Sequence, residues 1–160
     1  MTAPDDLSDL DRVSTLMFDH AEADFPAIAD GLGATIVRAG GGFESRGGLE
    51  GTNVNLNYRV AAQMMGPEPT IEAMASVLTG AGYINVTSTP TERGPVVEGT
   101  AADGTATISV AFRDDPLYNV DYDVYLISEE ELTISSSDRD TYRYEDHRQF
   151  DQSLVTPLAD

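Results

Sequence analysis

Apolar positions early in the chain recur at gaps of three and four. Leu10, Val13, Met17, Ala21, Phe25, Ile28 and Leu32 make the stripe of an amphipathic helix over about residues 8–32. Ser8 is placed to cap it, Asp9 and Asp11 suit the positive end of its dipole, and Gly33 can end it in the left-handed conformation. Pro26 interrupts the hydrogen bonding, but the stripe keeps its phase across it, so a kink is expected rather than two helices. A second stripe, Ile71, Met74, Val77, Leu78 and Ala81, predicts a helix over about residues 68–81, with Pro69 near its first position.

Elsewhere the period is two. A short strand is expected over 35–39, followed by a glycine-rich connection over 42–51. Val54, Leu56, Tyr58 and Val60 then share one face of the next strand. Strands are expected over 83–88, 95–100, 105–113, 118–128 and 132–136. Asp103-Gly104 reads as a hairpin turn, and Glu129-Glu130-Glu131 as the turn into the last strand. The fold expected is α+β, with two helices (about 8–32 and 68–81) packed on one face of an antiparallel meander sheet and the other face solvated. Residues 29–37 resemble 78–86, each reading as helix end, glycine pair and strand start, so a helix–strand–strand unit used twice is one reading. A single domain over 1–136 is expected. The polar extension 137–160 is left open between a further strand, a helix and a loose tail.

Composition narrows the class. The 160 residues, 41% hydrophobic, suffice for one core burying about two thirds of the unfolded surface. Acidic residues number 28 against 9 basic ones, all arginine, for a net charge of -19. That charge disfavours nucleic acid and anionic lipid as partners, since both demand a basic patch. It favours a monomer, and added salt should stabilise a fold that repels itself. The absence of lysine fits either GC-rich coding or a high-salt setting. Without cysteine there is no disulfide, thiol catalysis or cysteine-based zinc site. The N-terminal residues show no signal-peptide pattern, and no apolar run is long enough to cross a bilayer.

Candidate chemistry is sparse. His20 and His147 are the only histidines, and neither sits in metal-ligand spacing. Asp121 with Asp123, and Asp138 with Asp140, are two apart and can face one side of a strand, as an acid–base pair or part of a Ca²⁺ site would. Neither pair continues as an EF-hand loop, and no catalytic residue, metal or cofactor is assigned. The glycine-rich stretch lacks a phosphate-binding pattern. What stands out is a concentration of tyrosine among aspartates: Tyr118, Asp121, Tyr122, Asp123, Tyr125, Tyr142 and Tyr144. Rigid amphipathic rings beside carboxylates that steer a basic partner make up a protein-binding face.

The helix followed by Gly82-Tyr83-Ile84-Asn85-Val86, and the Asp103-Gly104 hairpin, resemble the soluble domains of small cell-envelope lipoproteins of high-GC Gram-positive bacteria. The lipobox and its cysteine are not in this sequence, so the resemblance requires a removed leader; otherwise a cytoplasmic location stands. It implies an extracytoplasmic, non-enzymatic role and assigns no site residue. The expected function is a non-catalytic acidic protein-binding domain, with an immunity protein against a basic toxin as a specific form. Two alternatives remain: a small α+β enzyme with a helix–sheet pocket using Asp121 or His20, and a salt-adapted cytoplasmic protein.

Overall fold

A computed structural model describes residues 6–45, 53–113, 120–135, 141–143 and 146–157. The first stripe is its keel. Leu10, Met17, Ala21, Phe25 and Ile28 are wholly buried, and Val13 and Leu32 nearly so. They lie on α1 (Asp6–Leu32), which runs through Pro26 as one helix and begins before Ser8, so Ser8 lies inside it and is not its cap. Apolar anchors on both sides of the proline hold the helix in phase despite the lost hydrogen bond. Gly33 at φ 68° ends it.

The strands are β1 (Thr35–Ser45), β2 (Asn53–Met65), β3 (Tyr83–Thr91), β4 (Gly94–Ala101), β5 (Ala106–Phe112), β6 (Tyr122–Ser128) and β7 (Leu132–Ser135). They form an antiparallel sheet in the order β1-β2-β6-β5-β4-β3, with β7 also paired to β2. The second helix, α2 (Ile71–Gly80), is capped by Thr70, whose hydroxyl accepts from the Ala73 N–H at 3.1 Å. Both helices pack on the same face of the sheet, α1 over β1, β2, β6 and β7, and α2 over β3 and β4. The expected α+β layering is therefore what forms. Each helix leads through a positive-φ glycine, Gly33 or Gly82, into an edge strand, and β5 and β6 fill the middle of the sheet.

Two local expectations change. β1 does not stop at Gly40 but continues through the glycines to Ser45. Gly41 is there for clearance: an added Cβ would lie 2.7 Å from the Tyr58 hydroxyl and 2.9 Å from Phe18 Cζ. Nor do the three glutamates turn the chain back. Ile127 pairs with Arg59 and Leu132 with Leu56, so β7 continues β6 along β2 with two extra residues bulged out. Asn57 and Ser128, both buried, satisfy that bulge. The Asn57 amide donates to the Ser128 and Glu130 carbonyls (2.8 and 3.3 Å), and the Ser128 hydroxyl accepts from the Tyr58 N–H at 2.9 Å.

The described C-terminal residues lie against α1 and β1. Phe150 is buried and stacks on Phe25 with ring centroids 6.0 Å apart. Arg148 pairs with Asp19 and Glu22, both at 2.6 Å, and the Thr156 N–H donates to the Ile36 carbonyl at 2.7 Å.

Candidate functional site

With both helices on one side, no described helix or strand covers the other face of the sheet. Its rows follow from strand register. Gly40, Ala61, Tyr125 and Ser109 lie side by side across β1, β2, β6 and β5. One row over stand Arg38, Gln63, Asp123 and Ala111; on the other side stand Gly42, Arg59 and Ile127. A side chain missing at Gly40 and a single methyl at Ala61 leave a groove of about 370 Å³, walled by Arg38, Arg59, Gln63, Asp123 and Tyr125. A second hollow of about 340 Å³ continues along β1 past Gly42 to Glu44.

The walls are held in place. Arg38 Nη1 donates to Gln63 Oε1 at 2.6 Å, and Gln63 Nε2 stands 3.5 Å from Asp123 Oδ1. The Asp123 carboxylate, 8% exposed, takes Arg113 Nε at 2.8 Å. Arg59 Nη1 lies 3.1 Å from Glu44 Oε2, and its guanidinium sits 5.1 Å over the Tyr125 ring centroid. This is a preorganised polar rim around a small-residue floor.

Those tyrosines and aspartates singled out in the sequence that are described do not share a surface. Tyr122 is wholly buried, edge-on to Phe112 at 5.0 Å, and its hydroxyl donates to the Pro67 carbonyl. Burial first, then Asp121 and Glu68, push its phenol up to about 12. Strand alternation sends Tyr122, Val124 and Leu126 toward the helices, so Tyr122 belongs to the core and is not offered to a partner. Asp121 and Asp123 are each engaged by protein donors: Asp121 Oδ2 accepts from the Gly66 N–H at 2.9 Å, and Asp123 holds Arg113. Tyr142 stacks on His147 at 4.1 Å and meets Phe43 edge-on at 5.4 Å. Among the described members of the set, Tyr125 and Asp123 line the groove on the open face. Tyr118, Tyr144, Asp138 and Asp140 lie outside the described residues.

Sequence reasoning missed Arg38, Gly40, Arg59, Ala61 and Gln63. Alternation along β1 and β2 does put them on the outward face. Nothing local says that β2 lies beside β6, and that adjacency is what sets Tyr125 against Arg59.

A second cluster gathers where α1 meets the β4–β5 turn, beside an open cleft of about 300 Å³. His20 Nε2 lies 2.9 Å from Thr105 Oγ1 and 3.2 Å from Asp103 Oδ2, and Nδ1 is 4.0 Å from Asp24 Oδ2. The Tyr83 hydroxyl donates to Asp24 Oδ2 at 2.7 Å. Burial pushes the Asp24 carboxyl above the ordinary aspartate value, against the pull of Tyr83 and His20. The Thr105 hydroxyl gives its proton to Asp103 Oδ1 at 2.6 Å, so toward His20 it acts as acceptor and Nε2 as donor. That is the reverse of a histidine activating a nucleophile. The cluster ties helix to turn. Among the described residues, no group of three or more histidine, aspartate or glutamate side chains could hold a metal.

No helix among the described residues is long and apolar enough to cross a membrane. No known protein-family model, curated protein or solved structure matches this chain, so its likeness to other proteins assigns neither a family nor an activity.

Proposed function

We propose that this chain is a non-catalytic binding domain that engages another protein through the open face of its sheet. The observation that carries the reading is the groove over Gly40 and Ala61, flanked by an aromatic ring and two held guanidiniums. Tyrosine and arginine are enriched at the energetic centres of interfaces, and a floor of glycine and alanine leaves room for an incoming chain. Charge adds a second support. Helix α1 carries Asp9, Asp11, Asp19, Glu22, Asp24 and Asp30 against Arg12 and His20. Among the described strand residues of the open face, Arg38, Arg59 and Arg113 stand against Glu44, Glu98 and Asp123. Salt adaptation alone calls for acids spread evenly, and this distribution is uneven.

At long range the net charge of -19 draws a basic partner, and an immunity protein against a basic toxin is the specific form of that reading. The setting we take to be the cell envelope, on the resemblance alone, with the chain as a monomer. Binding is favoured over catalysis because the Thr105 hydroxyl is committed to Asp103 and the cleft beside His20 is open to water.

The test is cross-linked capture from extracts of the source cells. Ala61→Arg fills the groove and Tyr125→Ala removes its ring, and both are expected to lose the partner that the unaltered chain retains. Arg93→Ala, on the β3–β4 turn, should keep it. A partner still held by the Ala61→Arg, Tyr125→Ala double variant overturns the reading.

A further inference from the structure

We infer that the groove receives one carboxylate from an extended segment of the partner, with Arg38 as its receptor. The inference rests on the open-face reading above. Its basis is how the arginines around the groove are paired. Arg59 has Glu44 and Arg113 has Asp123. Arg38 has Gln63 Oε1, an uncharged acceptor, and no carboxylate among the described residues. In a chain with 28 acidic residues and 9 basic ones, an exposed guanidinium that faces no described carboxylate is a vacancy for an anion.

Geometry prepares it for that role. Gln63 holds Arg38 Nη1 and its own amide lies 3.5 Å from Asp123 Oδ1, which leaves the Nε and Nη2 edge of the guanidinium to a ligand. A planar fork matches a carboxylate in two parallel hydrogen bonds. Beside it, Gly40 and Ala61 let a backbone approach closely. The second hollow extends the track along β1 toward Glu44, which suits an extended segment better than a compact small molecule.

The charge left unpaired is a single positive one. One carboxylate neutralises it, whereas a phosphate dianion would meet Glu44, Asp123 and the chain's net charge with a negative charge to spare. A partner with a basic body and one exposed glutamate or aspartate satisfies both ranges, the long-range field and the local fork.

The probes are a short capped peptide with one central glutamate, its glutamine twin, and inorganic phosphate, each titrated into the ¹⁵N-labelled full chain and followed by NMR. The glutamate peptide should shift the Arg38 Nε–H and the Gly40 and Ala61 amides saturably, and bind about tenfold tighter than its twin. Arg38→Gln should remove that preference, and Arg38→Lys, which keeps the charge without the fork, should retain part of it. Equal binding of the two peptides, a preference that survives Arg38→Gln, or tighter binding of phosphate overturns the inference. Capture separates it from the open-face reading. If Ala61→Arg loses the partner while Arg38→Gln keeps it, the carboxylate inference falls and the open-face reading stands. If both keep the partner, both readings fall.

Discussion

Strand β6 displays the two faces of the sheet side by side. Toward the helices it sends Tyr122, Val124 and Leu126, each wholly buried; toward solvent it sends Asp123, Tyr125 and Ile127. The covered face is held by apolar area, which is non-directional and tolerates exchange among side chains of similar volume. The open face is organised by named pairs, Arg113 with Asp123, Arg59 with Glu44 and Tyr125, Arg38 with Gln63. The exposed pairs add little stability per residue, and Asp123 is the nearly buried exception. One face makes the fold, and the other keeps a surface in a particular shape.

The sharpest way to break that contrast is to truncate neighbours on β6. Leu126→Ala is expected to cost about 2–5 kcal/mol in urea unfolding, the usual range for a buried leucine. Tyr125→Ala should cost less than about 1 kcal/mol, as surface changes do. Equal costs would mean that the open face is part of the core. Phe150→Ala comes next, at about 3 kcal/mol, because the C-terminal stretch buries that ring against Phe25. A change no larger than that of Tyr125→Ala would detach the stretch from the core.

Asp123→Ala tests the ion pairs of the open face. It removes a nearly buried carboxylate that receives Arg113 Nε and should cost about 2 kcal/mol, with part recovered in the double variant with Arg113→Ala. No recovery would mean that the two residues act independently.

The pH effect at Asp24 is smaller and has a defined sign. Its folded-state value is raised above 3.8, so the fold binds this proton more tightly than the unfolded chain does. The stability from that proton is present below the ordinary value and is lost as pH rises through the folded one. Asp24→Asn should therefore gain on the unaltered chain in melting temperature as pH climbs from about 4 to about 6. A difference that stays flat or shrinks refutes this. Asp103 is shifted the other way, chiefly by the Thr105 hydroxyl and N–H, and its contribution is lost as pH falls. The comparison is therefore made between variants at each pH. Smallest of all is Arg12→Ala. Its pair with Glu130 at 2.6 Å is about half exposed, and the loss should stay below about 1 kcal/mol and vanish in high salt.

Much of the covered face was legible from residue spacing. The seven apolar positions of the α1 stripe are all buried, and Ala106, Ile108, Val110 and Phe112 point inward along β5 as their alternation says. Burial is periodic, and period is a property of local sequence. The open face was not legible in the same way. Tyrosines close together in the chain looked like one surface, yet Tyr122 faces the core, Tyr125 faces solvent and Tyr142 packs on His147. The glycine run after the predicted short strand belongs to β1 as far as Gly42, and Gly41 within it is set against Tyr58 and Phe18.

By itself the sequence determined two amphipathic helices, an antiparallel sheet with one covered face and a chain of strongly negative charge, because each follows from spacing and composition within short windows. Only the tertiary structure decided that β2 lies beside β6, that β7 prolongs β6 along β2, and that Arg38 faces a glutamine instead of an acid. Those outcomes depend on which strands pair across long stretches of chain. Pairing is settled by the whole core closing at once, and no local window contains that information.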